Sequence, residues 1–184
     1  MPMDESASDI LEFWFSERVS PQWFNASQEL DNEILQRFGD LWHQALNNKL
    51  NDWAKTPEGA LALVILLDQF PLNMFRGQAK SFKTEALAIK VTKHTVSQGF
   101  DKKIPKTQLM FLYMPLMHSE NIEDQKLSIK LFSEAQLTQN LRFANHHKEL
   151  IQKFGRFPHR NAILGRASTN EEIEYLNSKH AFTG

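Results

Sequence analysis

The sequence predicts an all-α protein that forms a single domain. Apolar residues recur at spacings of three and four along most of the 184-residue chain, and no stretch alternates strictly between apolar and polar residues. Capping residues, prolines and glycines divide this pattern into segments joined by short loops. We therefore expect about eight helices in antiparallel pairs, with a single domain spanning residues 1–184.

The first two predicted helices lie before residue 50. Ser8 is a suitable N-cap for a helix over 8–16. A second helix begins near Ser27, and Gly39 is expected to bend or split it. The apolar positions of this second helix share one face: Leu30, Ile34, Leu35, Phe38, Leu41, Trp42, Ala45 and Leu46.

The third predicted helix is the central, buried one. Thr56 is its expected N-cap, Pro57 takes the first helical position, and Glu58 lies at the positive end of the helix dipole. The segment ALALVILL at 60–67 is apolar on most sides, which is typical of a helix surrounded by others. The pair Phe70–Pro71 is expected to end it, because proline lacks the backbone N–H that the next helical hydrogen bond needs.

The remaining helices are separated by clear breakers. A helix over 82–97 is expected to stop at Gly99, and the one after Pro105 to break or kink at Pro115. A capping box formed by Thr169 and Glu172 predicts the start of the last helix. The last three helices are predicted over 121–135, 138–154 and 169–179.

The composition excludes several kinds of catalytic and metal chemistry and indicates the cellular compartment. The chain contains no cysteine, which excludes disulfides, thiolate catalysis and iron–sulfur clusters and fits a reducing compartment. The acidic N-terminus does not resemble a secretory signal, and the apolar run at 60–67 is too short to cross a bilayer. We therefore expect a cytoplasmic protein without membrane contact. No glycine-rich phosphate loop, dinucleotide fingerprint or nucleophile elbow is present, and no histidine and carboxylate spacing fits a metal site, so we expect no cofactor and no metal.

Charge is unevenly distributed along the chain. The first 58 residues hold 11 acidic and four basic side chains, whereas residues 59–184 hold 11 acidic and 17 basic ones. The basic part can meet a small anion, the acidic part of the same molecule, or the acidic part of a second copy in a homodimer. A sequence pI near 6.7 and the lack of a known nucleic-acid-binding motif argue against nucleic acid as the partner.

Four stretches carry a resemblance to a known family. They are LEFWF at 11–15, LDQFPLNMFRG at 67–77, MPLMHSEN at 114–121 and GRFPHRNAILGR at 155–166. On these motifs the chain resembles the bacterial domain-of-unknown-function family 924, which is grouped with tetratricopeptide-like proteins. The resemblance implies an all-α, tetratricopeptide-like fold of antiparallel helix pairs, and it implies no reaction. Two positions depart from the family pattern: Leu72, where arginine is usual, and Glu85, where aspartate is usual.

The motif at 155–166 combines arginines and a histidine with apolar residues, and it suggests an anion site. Pro158 suits the first turn of a short helix, which would leave the N–H groups of residues 159–161 free to bind an anion. The alternative is structural: each arginine caps a helix or neutralises a buried acid. Asp68 lies in an apolar helix and needs a cation, for which Arg76 and Arg160 are the two candidates.

Two functions remain open from the sequence. In the first, a polar pocket binds a small anionic metabolite: Arg76 and Arg160 hold the anion, His118 or His159 moves protons, and Asp68 orients an arginine. Whether such a pocket is also catalytic stays open. In the second, the chain is a non-catalytic, tetratricopeptide-like scaffold for a protein partner. The residues expected at the pocket are Asp68, Arg76, His118, Arg156, His159, Arg160 and Asn161.

Overall fold

The structure, a computed structural model, describes residues 4–182 and contains eight helices and no strand within that range. The prediction of an all-α fold is confirmed. Residues 1–3 and 183–184 of the predicted domain lie outside the described range. The helices are α1 Glu5–Trp14, α2 Gln28–Leu46, α3 with the consecutive segments Pro57–Val64, Ile65–Gln69 and Phe70–Met74, α4 Glu85–Ser97, α5 Lys106–His118, α6 Ile122–Glu134, α7 Thr138–Phe154 and α8 Asn170–Leu176.

Three helices begin at the predicted capping residues. Ser27 and Thr56 accept hydrogen bonds from the third residues of α2 and α3, and Thr169 forms the expected capping box with Glu172. The predicted cap of α1 is wrong. Asp4, not Ser8, accepts the backbone N–H of Ser6, so α1 begins four residues earlier than an N-cap at Ser8 would allow.

The predicted end of α3 at Phe70–Pro71 is also wrong, because the helix continues to Met74. Residues Ile65–Gln69 widen into a π-helical turn just before the proline. Pro71 cannot donate to the carbonyl of Leu67, four residues earlier. The hydroxyl of Thr84 donates to that carbonyl instead, at 2.6 Å. A side chain 17 residues along the chain therefore supplies the hydrogen bond that the proline cannot make.

Neither of two other helices is divided at the residue where a break was one of the expected outcomes. Helix α2 runs through Gly39 without a split. Helix α5 passes through Pro115 and ends at His118, so it does not break at the proline. Within α5, the carbonyl of Leu112 accepts a hydrogen bond from the hydroxyl of Thr92 on α4, at 2.9 Å.

Helix α3 is central to the packing. It contacts α1, α2, α4 and α5, and its residues Ala60–Leu67 are all buried. From α4 to α7, each helix packs against the next one in sequence. Aromatic rings join the layers: the ring of Trp14 on α1 lies 5.5 Å from that of Phe70 and 5.6 Å from that of Phe111, both edge-on. None of the described helices combines the length and the apolar character that crossing a membrane requires.

Candidate functional site

A cavity of about 720 Å³ lies between α3, α5, α7 and the segment that follows α7. Its volume is in the range of small-molecule sites, and its lining is predominantly apolar. Methionine, phenylalanine, leucine and isoleucine account for 11 of the 26 residues that line it. The charged or titratable side chains in the lining are Asp68, Arg76, Glu85, His118, His147, His159 and Arg160.

Asp68 and His118 form an ion pair at the wall of this cavity. Nδ1 of His118 lies 2.9 Å from Oδ1 of Asp68, and the side-chain amide of Gln69 donates to the other carboxylate oxygen at 2.6 Å. Both oxygens of Asp68 therefore have partners. Nε2 of His118 makes no hydrogen bond within residues 4–182, and the side chain is 19% exposed. The imidazole is thus anchored through one nitrogen, while the other remains available to a ligand.

The position of this pair follows from local backbone geometry. Asp68 and Gln69 lie on the π-helical turn of α3, and His118 is the last residue of α5. Single π-helical turns inside α-helices are frequent at functional sites. Burial alone lowers the pKa of His118, but the charge and the hydrogen bond of Asp68 outweigh burial, and the net effect is a raised pKa.

Arg160 lines the cavity beside the Asp68–His118 pair. Its guanidinium donates to Oε2 of Glu85 at 2.9 Å and to the carbonyl of His118 at 2.8 Å. The rings of Phe82 and Phe157 lie 4.5 and 4.7 Å from the guanidinium carbon. Burial raises the pKa of Glu85, and the charges of Arg160 and His118 oppose that rise. Nε of Arg160 is buried and has no partner among the described residues.

Arg76 also reaches the cavity, but a different carboxylate holds it. Its Nε and Nη2 donate to the two oxygens of Asp31 at 2.8 and 3.0 Å, and the amide of Asn73 donates to the same carboxylate at 2.8 Å. The side chain of Arg76 is 57% exposed. Neither Arg76 nor Arg160 contacts Asp68, so the predicted pairing of Asp68 with an arginine is wrong: His118 is its partner.

Two further histidines line the cavity without a carboxylate partner. Burial lowers the pKa of His147 to about 3 and that of His159 to about 4, and the charge of Arg160 contributes to the shift at His159. Both imidazoles are therefore neutral at physiological pH. The ring of Phe182 lies 4.6 Å from His147 and 4.9 Å from His159, and it covers this side of the cavity.

The structure brings five of the seven predicted site residues to the cavity: Asp68, Arg76, His118, His159 and Arg160. The other two, Arg156 and Asn161, do not line it. Arg156 donates twice to the buried carboxylate of Glu172, at 2.8 Å each, and Asn161 also binds that carboxylate. Through Glu172, Arg156 and Asn161 connect the segment after α7 to the start of α8.

Two of the three N–H groups that were predicted to be free at the start of the short helix after Phe157 are already bonded. Pro158–Arg160 form a single 3₁₀ turn, and the N–H groups of Arg160 and Asn161 donate to the carbonyls of Phe157 and Pro158. The carboxylate of Glu120 accepts the N–H of Phe157 at 2.8 Å and two hydrogen bonds from Arg166. The chain's own glutamate thus pairs with Arg166 beside this turn.

Sequence reasoning missed three polar residues at or beside the cavity. Glu85 was noted only as a departure from the family pattern, although it is the partner of Arg160. Asp31 and His147 were not singled out. An acidic residue near the start of a helix, such as Asp31, is expected to interact with the helix dipole and gives no sign of a distant partner. His147 has the spacing of an ordinary buried residue on α7. For Glu85 a signal was present, since an acidic residue is expected at that position in relatives.

The fold and the site together define an all-helical protein with an apolar cavity and an aspartate–histidine pair in its wall. Residues 10–180 match the family described as "Bacterial protein of unknown function (DUF924)". The chain belongs to this family, as the four sequence motifs indicated. A comparison with curated proteins found no match.

A solved structure supports the same fold. The chain is similar to the protein of unknown function ATU0120 from Agrobacterium tumefaciens, with 36% sequence identity and a TM-score of 0.87. The similarity covers 93% of this chain and 96% of that chain. The helical architecture is therefore shared over nearly the full length of both proteins.

Proposed function

We propose that the cavity binds a small organic acid and that His118, oriented by Asp68, exchanges a proton with it. One observation carries the proposal: Nδ1 of His118 is held by Asp68 at 2.9 Å at the wall of a 720 Å³ cavity, while Nε2 makes no hydrogen bond within the described residues. A carboxylate behind one imidazole nitrogen fixes the ring orientation and stabilises the protonated form. This arrangement is suited to general acid–base chemistry at the other nitrogen.

The acidic group of the ligand is expected at the end of the cavity that His118 and Arg160 line. There, protonated His118 offers an N–H at Nε2, and Arg160 uses only two of its N–H groups on Glu85 and the carbonyl of His118. Each arginine at the cavity is paired with an acid, Arg76 with Asp31 and Arg160 with Glu85, so charge alone does not distinguish them. Arg160 differs because its Nε is buried without a partner among the described residues and its guanidinium lies beside His118. We therefore expect the anion at Arg160 and His118 rather than at Arg76 and Arg160.

The scaffold hypothesis has weaker support. A scaffold would satisfy the polar motif residues internally, as Arg156 and Arg166 are satisfied by Glu172 and Glu120. By contrast, Nδ1 of His159 has no partner among the described residues and Nε2 of His118 makes no hydrogen bond there. Unsatisfied polar groups beside a cavity favour a ligand over a purely structural role.

Thermal unfolding with a panel of carboxylates and phosphates tests the proposal. A ligand present at about a hundredfold its Kd stabilises the folded state by about 2.7 kcal/mol, which raises the Tm of a protein of this size by roughly 5–10 °C. We expect such a rise for wild type with at least one carboxylate, and at least a tenfold weaker apparent affinity in His118→Gln. His94→Gln is the matched control, since His94 is exposed on α4 and does not line the cavity.

Two results would contradict the proposal. If no carboxylate or phosphate raises the Tm of the wild-type protein, the cavity does not bind an organic acid. If His118→Gln and His94→Gln respond to the same carboxylate as strongly as wild type, His118 is not at the binding site. A measured binding enthalpy that changes with the ionisation enthalpy of the buffer would show that binding is coupled to net uptake or release of protons by the complex.

A further inference from the structure

The wall of the cavity that α5 forms changes from apolar to polar along the helix. Met110, Met114 and Met117 all line the cavity, and their spacing of four and three places them on one stripe of α5. The stripe leads directly to His118 at the end of the helix. Eight residues of α-helix span about 12 Å, so this is the length of wall between Met110 and His118.

The wall that α7 forms is mixed. Gln139 and Asn140 line the cavity near Met110, and Phe143 and His147 follow Asn140 at spacings of three and four. The amide of Asn140 lies 3.7 Å from Sδ of Met110, so the end of the α5 stripe that is distant from His118 meets a polar group of α7. The ring of His147 lies 5.4 Å from that of Phe157, the residue that flanks Arg160. The apolar parts of these two walls are therefore the methionines of α5 and Phe143 of α7.

Two large aromatic side chains of the cavity lining are exposed to solvent. Phe24 is 71% exposed and Phe143 is 51% exposed, and both line the cavity. Phe143 lies on α7 between Asn140, whose amide meets Met110, and His147. An apolar chain that extends along the methionines and reaches these rings would cover part of their exposed surface.

We propose that the ligand is an amphipathic carboxylate with an unbranched apolar chain of about eight to ten carbons, the length that a wall of about 12 Å accommodates. This inference rests on the proposed function. The carboxylate binds beside His118 and Arg160, and the chain lies along Met117, Met114 and Met110. Methionine suits this role because its flexible, polarizable side chain adapts to an apolar partner of variable shape.

The test compares linear acids of different length by calorimetry: butyrate, hexanoate, octanoate and decanoate, each below its micelle-forming concentration. Each methylene that enters the apolar stripe is expected to strengthen binding about fourfold. From butyrate to decanoate we expect the Kd to fall by at least about thirtyfold, allowing for incomplete burial of the chain. Decanol and decylamine, which have the same chain without the carboxylate, are expected to bind at least about tenfold more weakly than decanoate.

Two variants test whether the methionine stripe of α5 causes the dependence of affinity on chain length. Met110→Gln keeps the length of a partly buried side chain and makes it polar, so decanoate is expected to bind several-fold more weakly while butyrate is unaffected. Leu35→Gln is the matched control, because Leu35 is 43% exposed on α2 and lies outside the cavity lining. It is expected to change neither affinity.

The outcomes separate this inference from the proposed function. If butyrate and decanoate bind equally and both depend on His118, the proposed function stands and the apolar chain is wrong. If decanol binds as tightly as decanoate, the carboxylate is wrong and the ligand is a neutral apolar molecule. If Met110→Gln leaves the dependence on chain length intact, the chain does not follow α5. If no acid binds, both proposals fail.

Discussion

Two walls of the same cavity hold histidines whose pKa values move in opposite directions. On the wall formed by α3 and α5, Asp68 raises the pKa of His118 in spite of burial. On the wall formed by α7 and the turn after it, burial lowers the pKa of His147 to about 3 and that of His159 to about 4. The difference comes from one carboxylate, because His147 and His159 form no ion pair with an acidic side chain of the described residues.

This comparison assigns different tasks to identical side chains. Asp68 raises the pKa of His118, which favours the protonated imidazole that a general acid requires. His147 and His159 are neutral at pH 7 and are polar groups in an otherwise apolar wall. Proximity to the cavity is common to all three histidines, so the proposal for His118 rests on the carboxylate behind one of its ring nitrogens.

The largest expected effect comes from removing Arg160, which forms an ion pair with Glu85 on α4 and a hydrogen bond to the end of α5. Arg160→Met leaves the partly buried Glu85 without its cation and removes the hydrogen bond to the carbonyl of His118. We expect it to lower the free energy of unfolding at pH 7 by about 3 kcal/mol, as measured by urea denaturation. In the double variant Arg160→Met/Glu85→Leu both charges are gone, so most of this loss is expected to be recovered.

The double variant decides what the pair contributes. If it is as unstable as the single variant, the loss comes from the missing hydrogen bond to His118 and the stacking on Phe82 and Phe157 rather than from the unpaired Glu85. If Arg160→Met is as stable as wild type, Arg160 does not hold the turn after α7 against α4 and α5 in solution.

The second prediction concerns acid. His147 and His159 bind protons in the unfolded chain below their ordinary pKa of 6.5, but in the folded protein only near pH 3 and pH 4. The unfolded state therefore binds more protons in this window, and folding stability is lost as the pH falls from 6.5 towards 4. The slope is at most about 1.4 kcal/mol per pH unit for each histidine.

Urea denaturation between pH 7 and pH 4 measures this slope. We expect His159→Gln to reduce it, because glutamine cannot take up the proton. His43→Gln is the control, since His43 is exposed on α2 and does not line the cavity. A slope in His159→Gln equal to that of wild type would show that His159 is protonated in the folded state.

The two Phe–Pro pairs show why the helices were more predictable than their ends. Phe157–Pro158 lies after α7, which has already ended at its C-cap Gly155. Gly155 adopts a left-handed conformation with φ of 72°. Phe70–Pro71 lies inside α3, because the π-helical turn and the hydroxyl of Thr84 compensate for the missing N–H. The local sequence is similar at both sites. The deciding contact comes from another part of the chain, and a search for local breakers cannot find it.

The ion pairs at the site escaped prediction for a related reason. Sequence reasoning correctly indicated that Asp68 needs a partner, but it chose between the arginines of the two motifs. The partners lie far apart in sequence: Asp31 is 45 residues from Arg76, and Glu85 is 75 residues from Arg160. Which acid meets which cation depends on the relative positions of packed helices. A residue's chemistry indicates that a pair exists, whereas the fold selects its partner.

The smallest expected effect has the opposite sign to the acid effect and tests the wall formed by α3 and α5. The folded-state pKa of His118 is raised above 6.5, so between pH 6.5 and that pKa the folded protein binds more protons than the unfolded chain. The stability that His118 contributes is therefore complete below pH 6.5 and is lost as the pH rises through its folded-state pKa. Asp68→Asn should abolish this loss, because burial then lowers the pKa of His118.

Urea denaturation from pH 6 to pH 9, together with the NMR titration of the His118 ring, checks this sign. In wild type, the His118 signal is expected to titrate above pH 6.5; in Asp68→Asn, it is expected to titrate below that value. The signals of His147 and His159 in the same spectra are the internal control, because neither imidazole contacts Asp68. A His118 signal that titrates at the same pH in both proteins would mean that Asp68 does not hold the imidazolium. The two walls would then differ in position but not in chemistry, and His118 would have no advantage over His159 as the group that exchanges a proton.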